Sequence, residues 1–291
     1  MNARLHATDL ERLRLVRHAL PGGVELHAVR AGAGTPLIFI HGAMGDWRSW
    51  APQWPAFTPH FDCVSYSRRY SHPNANAMPS PDHSALHEAQ DLRALMDAMR
   101  IDQAVLVGSS YGGFTALALA VHHPQRVQAV VAVEPPMMKY ALATAEGRAA
   151  AQAFRTQTIE PANAAFRAGD DALGARLMTG GINGAASSVG TGAAMERRMQ
   201  NVHAMKMLAL SSDEFPLLLP EVLAALPMPV MLMSGAQTPP VHREIFRNLC
   251  AAMPKARMQV VEGAGHGVTR DQPAVFNESA LAFLREVLPD A

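Results

Sequence analysis

The five residues Gly108-Ser109-Ser110-Tyr111-Gly112 constrain this chain more than any other stretch. They follow the apolar run Ala104-Val105-Leu106-Val107 and precede Phe114-Thr115-Ala116-Leu117-Ala118-Leu119-Ala120-Val121, a run suited to a buried helix. Strand, sharp turn and helix are therefore expected in succession, with Ser110 at the apex. A serine held on such a turn is pushed out of the sheet toward a substrate. Gly108, Gly112 and Gly113 leave room for the tight turn and for a close strand-helix approach.

Short apolar runs alternate with helical patterns through the first half of the chain. Val24 to Val29 reads as an early edge strand, and Leu37 to Ile40, Cys63 to Tyr66, Ala104 to Val107 and Val127 to Val133 read as buried strands. This alternation specifies an α/β fold with a mainly parallel sheet. From Pro135-Pro136 to about Leu226 it stops. Helix-compatible runs at Thr144 to Phe154, Asp170 to Leu177 and Met195 to Leu208 predict an all-helical insertion over the sheet. Within it the glycine-rich stretch from Thr179 to Gly192 is expected to be mobile, either a lid hinge or a surface linker. Strand signals resume at Val230 to Met233 and Arg257 to Val261, with helices from Val241 to Met253 and Ala274 to Val287. The expected organisation is a core of residues 1–135 and 227–291 interrupted by a helical cap at 136–226.

Composition narrows the classes of function. A chain of 291 residues that is 49% hydrophobic supports a large buried core. Its 25 basic and 25 acidic residues balance without a block of like charge, which offers no footing for nucleic acid or an anionic membrane surface. No stretch approaches the ~18 apolar residues of a membrane span, and the first residues lack the apolar core of a signal peptide. A cytoplasmic protein acting on a small molecule is expected. Cys63 and Cys250, one in a strand run and one in a helix run, suit buried free thiols rather than a disulfide framework or a metal cluster.

Two further motifs surround Ser110 with chemistry. Ile40-His41-Gly42-Ala43-Met44-Gly45 follows a buried strand, and a glycine-bearing loop there can aim the Ala43 amide into the site. With the amide of Tyr111, next to the serine, it would form an oxyanion hole. Gly263-Ala264-Gly265-His266-Gly267 follows the last strand and holds the one histidine of 13 that core packing explains least. A serine hydroxyl is a weak nucleophile at neutral pH and needs a base within hydrogen-bond reach, a role that suits His266.

The order of strand, His41-Gly42 loop, Gly108-x-Ser110-x-Gly112 elbow, helical insertion and Gly265-His266 loop resembles the α/β-hydrolase superfamily over about Val24 to Leu288. The resemblance implies an eight-stranded, mainly parallel sheet with a cap, Ser110 as nucleophile, His266 as base, and Ala43 and Tyr111 as oxyanion donors. The serine at the elbow separates the chain from haloalkane dehalogenases and epoxide hydrolases, which carry an aspartate there. Most members place an aspartate in the loop after the seventh strand, whereas here Ser234-Gly235-Ala236-Gln237-Thr238-Pro239-Pro240 contains no carboxylate. Glu134, at the end of the sixth strand, is expected to supply the acid instead. A branch of the haloalkane dehalogenases and the zearalenone-type lactonases are similar in taking it from that position. Glu244 is the reserve.

Met44, Met137, Met138, Tyr140, Phe154, Met178 and Met195 are expected to line an apolar, adaptable pocket. Arg68 and Arg69 either recognise a substrate carboxylate or, as surface arginines, pair with neighbouring acids. The expected activity is that of a serine hydrolase cleaving esters or lactones of small apolar compounds through an acyl-enzyme, with no metal or organic cofactor. Two alternatives use the same scaffold: a cofactor-independent lyase or oxygenase, and a ligand-binding, receptor-like α/β-hydrolase.

Overall fold

The apolar runs become the strands β1 (Val16–Ala19), β2 (Glu25–Ala31), β3 (Pro36–Ile40), β4 (Asp62–Tyr66), β5 (Ala104–Ser109), β6 (Val127–Val133), β7 (Val230–Gly235) and β8 (Arg257–Val261). The computed structural model describes residues 9–78, 83–184 and 192–288. Within these the strands form one sheet in the order β1-β2-β4-β3-β5-β6-β7-β8. β1 and β2 pair antiparallel, as do β2 and β4, and every other pairing is parallel. The expected edge strand beginning near Val24 is instead second in the sheet. The edge is β1, which is only four residues long and largely exposed, so no apolar alternation announces it.

Alternation along the central strands divides the core into two layers. Ile38, Ile40, Leu106 and Leu232 face helices α1 (Ala85–Ala98) and α2 (Tyr111–His122). Leu37, Phe39, Val107 and Met233 face Trp50, Trp54 and the C-terminal helix α3 (Pro273–Val287). Covered on both faces, these strands read as continuous apolar runs, which made them legible.

The elbow obeys a local steric constraint. A Cβ on Gly108 would lie 2.2 Å from the Gly112 carbonyl oxygen, and one on Gly112 would lie 2.0 Å from that of Ile40. Ser110 itself has φ 52°, in the left-handed region that L-residues adopt only under constraint, at a cost on the order of 1–3 kcal/mol.

Between β6 and β7 the described residues are helical or irregular. The main helices are α4 (Ala145–Phe154), α5 (Glu160–Arg167), α6 (Asp171–Asn183), α7 (Gly192–Gln200) and α8 (Val202–Leu210). A π turn at Arg155–Ile159 joins α4 to α5. Pro161 has no N–H to donate back along the helix, so a register change just ahead of it loses little. Thr179 to Asn183, expected to be mobile, are instead the last turn of α6. A Cβ on Gly181 would lie 2.1 Å from the Thr158 side chain, so this glycine serves close helix packing. Residues 185–191 of that stretch lie outside the described residues. The single helix expected from Met195 to Leu208 is broken at Asn201, whose amide donates to Asp46 Oδ2 at 3.0 Å and accepts from the His72 amide at 2.9 Å. Among the described residues no helix is long and apolar enough to cross a membrane.

Gly112→Ala is expected to lower the denaturation midpoint by the equivalent of at least about 1–3 kcal/mol, because the added methyl meets backbone that cannot move without opening the β3-β5 pairing. Urea unfolding followed by circular dichroism checks this.

Candidate active site

Ser110, His266 and Glu134 converge at the carboxyl ends of β5, β8 and β6. The Ser110 hydroxyl lies 2.9 Å from His266 Nε2, and His266 Nδ1 lies 2.7 Å from Glu134 Oε2. The carboxylate fixes the tautomer: Nδ1–H donates to it, leaving Nε2 to accept a hydrogen bond from the Ser110 hydroxyl. Glu134 has φ 47°, turning its side chain off the end of β6 toward β7. There its Oε1 accepts from Ser234 Oγ at 2.5 Å and the Gly235 amide at 2.9 Å, and its Oε2 accepts from Thr238 Oγ1 at 2.6 Å. Burial alone would raise the Glu134 pKa. The hydrogen bond and charge of His266, with lesser help from His242 and Ser234, outweigh burial and hold it at about 2.

The loop after β3 lies against the serine. A Cβ on Gly42 would sit 3.4 Å from Ser110 Cβ, so the glycine lets the loop run close against Ser110. His41 fixes this loop: its Nδ1–H donates to the Gly42 carbonyl at 2.8 Å and its Nε2 accepts from the Arg68 amide at 3.0 Å. Burial, then the Arg68 charge, push its pKa down to about 3 and keep the ring neutral. The Tyr111 amide is the first of helix α2 and has no acceptor within the helix.

A cavity of about 220 Å³ opens from Ser110, Ala43 and Tyr111. Met138, Phe154 and Met178 line it, together with Ile159, Leu208 and Phe215. The π turn brings Phe154 and Ile159 to the same side. A second cavity, about 260 Å³, meets Ser110 and His266 from the other side and includes Met44.

Residues 35–269 match the family model described as alpha/beta hydrolase fold. The chain belongs to the α/β-hydrolase family. A relative named "Putative carbamate hydrolase RutD", from Caulobacter sp. (strain K31), is 28% identical over 89% of this chain and 94% of its own length. The carboxylesterase CesB from Bacillus subtilis superposes with a TM-score of 0.70 at 20% identity, over 97% of this chain and 95% of that one. Est816, described as an N-acyl homoserine lactone degrading enzyme, gives 0.70 at 20% identity over 91% and 99%.

Not every expected pocket residue reaches this α/β-hydrolase's cavities. Met137 is buried in the core against the sheet, and Tyr140 turns its hydroxyl to the Leu218 carbonyl at 2.8 Å. Met195, on α7, lines neither cavity. Arg68 is not on the surface: it is 2% exposed, pairs with Glu88 at 3.2 Å and lies 3.7 Å over the Tyr111 ring. Arg69 grips Asp91 at 2.6 Å and 2.7 Å. Glu244 pairs with Arg247 on its own helix.

Two wall residues were not anticipated. His242, at the start of helix α9 (Pro240–Ala252), packs its ring 4.2 Å from that of His266, and burial, then the His266 charge, push its pKa down to about 3. Its position in Pro239-Pro240-Val241-His242, just after the carboxylate-free loop, was the available signal. Glu214, the other, is approached only through tertiary packing. Among the described residues, one group of potential metal ligands is close enough to hold an ion, and it is Glu134, His242 and His266 themselves. Both oxygens of Glu134 already accept hydrogen bonds there, so the donor set is committed to orienting the imidazole.

The depressed Glu134 pKa links stability to pH. Unfolded, the carboxyl titrates near its ordinary 4.5, and folded, near 2, so its stabilisation is complete above the first value and is lost as pH falls toward the second. Glu134→Gln should flatten the fall in stability below pH 4.5, by up to roughly 3 kcal/mol over the window. Urea titrations of both proteins at several pH values test this, and parallel curves would count against it.

Proposed function

We propose that this α/β-hydrolase is a serine hydrolase cleaving carboxylic esters or lactones of small, largely apolar compounds. The observation that carries the reading is the continuous hydrogen-bonded line from Ser110 Oγ through the His266 ring to Glu134 Oε2. Ser110 attacks the carbonyl carbon while Nε2 takes its proton. Glu134 holds the imidazolium, and the Ala43 and Tyr111 amides receive the charge on the carbonyl oxygen. His266 then gives the proton to the leaving alcohol oxygen. A water deprotonated by the same nitrogen attacks the acyl-enzyme, releasing the acid and restoring Ser110. The apolar lining of the first cavity supports a hydrophobic acyl or alcohol group. The name carried by the Caulobacter relative adds carbamates, whose cleavage uses the same acyl transfer, to the substrates worth assaying.

A fluorophosphonate should label wild-type protein stoichiometrically and Ser110→Ala not at all. Activated aryl esters should show an acyl-enzyme burst. Ser110→Ala should retain the fold while losing turnover, and Glu134→Gln should lose on the order of 10³–10⁴ in kcat by analogy with other triads. Near-normal esterase activity in Ser110→Ala would overturn the assignment, and turnover without labelling or a burst would point to the lyase or oxygenase chemistry.

A further inference from the structure

Tyr111 meets the site twice. Its amide faces the expected oxyanion, while its hydroxyl, buried beneath Arg68, donates to Glu214 Oε1. Glu214 is 6% exposed and lines the same cavity as Ser110. Its second oxygen, Oε2, is buried with no hydrogen-bond partner among the described residues.

His242 Nε2, on the same wall, is likewise buried without a hydrogen-bond partner among the described residues, but the other buried carboxylate of the site is fully paired. Each oxygen of Glu134 accepts two hydrogen bonds. Lys139 and Asp213, polar neighbours on the cavity wall, pair with each other at 2.9 Å and are far more exposed. The Ser211 hydroxyl, near enough to favour the Glu214 anion, donates to the His83 carbonyl. Burial raises the Glu214 pKa, with the Tyr111 hydrogen bond opposing it. A buried carboxyl oxygen left unpaired is costly, and here the surrounding wall of Met138, Phe154, Ile159, Leu208 and Phe215 offers it nothing.

We infer that Glu214 Oε2 is a recognition point for a hydrogen-bond donor on the substrate, so that the preferred substrates carry a hydroxyl or N–H on an otherwise apolar body. The donor group bonds to Oε2 while the apolar body covers the wall. Tyr111 ties this subsite to the nucleophile, since its side chain holds Glu214 and its amide adjoins Ser110. The inference rests on the reading that Ser110 attacks a substrate lying in this cavity.

The test uses aryl esters of matched acyl chains ending in methyl, methoxy or hydroxyl, over a series of chain lengths. Methoxy accepts but does not donate, so it isolates the donor. Wild type should favour hydroxyl over methoxy by about tenfold or more in kcat/KM at the length that reaches Glu214. Glu214→Gln keeps an acceptor for the Tyr111 hydroxyl but can present an N–H to the cavity, and its ratio should fall to about one. A wild-type ratio near one at every length, or one unchanged by the substitution, overturns the inference. The wild-type series alone decides should the variant not fold. Calorimetric binding of the matching hydroxyl- and methoxy-terminated amides to Ser110→Ala gives a readout without turnover. If the hydrolase reading fails, the esters are not cleaved, yet a hydroxyl preference in binding still supports the subsite and its absence overturns it.

Discussion

The carboxylate of Glu134 is the junction on which the site depends. Four donors reach it from the end of β7, from the loop that follows and from the loop after β8. It therefore binds the carboxyl ends of three neighbouring strands as well as orienting a histidine. Its backbone accepts a left-handed conformation for this, and the strain is outweighed by charge-assisted hydrogen bonds in a buried setting. The composition of the β7 loop acquires a physical meaning here. Ser234, Gly235 and Thr238 take no negative charge of their own but present donors to a carboxylate coming from the adjacent strand. Gly235 is also pressed against the His266 loop, where a Cβ would lie 2.1 Å from the Gly265 carbonyl oxygen. With the acid supplied from the adjacent strand, the β7 loop serves it as donor.

What could be read from the sequence was set by how local each constraint is. Gly108 and Gly112 are required by contacts within the elbow and with the adjoining strand, so the motif announces Ser110 by itself. His266 was legible because its glycine neighbours remove any packing reason for it. Glu134 emerged from the missing acid after β7 together with its place at a strand end. The pocket was read less well. Met138, Phe154 and Met178 reach the first cavity, but Met137 and Tyr140 fall inside the core because a single short helical turn, Met138–Ala141, decides which of its neighbours face the sheet. Periodicity over four residues cannot settle that choice. Glu214 was invisible for a different reason: its partner, Tyr111, lies more than a hundred residues distant in the chain. Arg68, expected either to recognise a substrate carboxylate or to pair with an acid at the surface, does pair with an acid, Glu88, but is buried with it under the Tyr111 face, which the local sequence does not reveal.

The helical insertion is joined to the catalytic loops by buried polar bonds, and this bears on whether its movement could be the protein's output. Asn201 interrupts what would otherwise be one helix and spends both ends of its amide on the core, donating to Asp46 and accepting from His72. Asp46 caps the turn Trp47–Trp50, directly beyond the loop that carries Ala43, and is itself 3% exposed. Burial would raise its pKa, but bonds from Arg48 and Asn201 hold it at about 2, so it remains an anion that needs those donors. The Arg48 guanidinium continues the link to Gln200, and Thr179 on α6 lies 3.2 Å from the Met44 sulfur. Lifting the α7-α8 junction would strip a buried carboxylate of a donor and loosen the loop that carries Ala43. Unpaired buried charge is among the costliest defects a fold can carry, so the α7-α8 junction and the loop that carries Ala43 are held together. For the proposed hydrolase, a cavity held in this way suits fixed, preorganised acyl transfer rather than a mechanism in which displacement of the overlying helices is the signal.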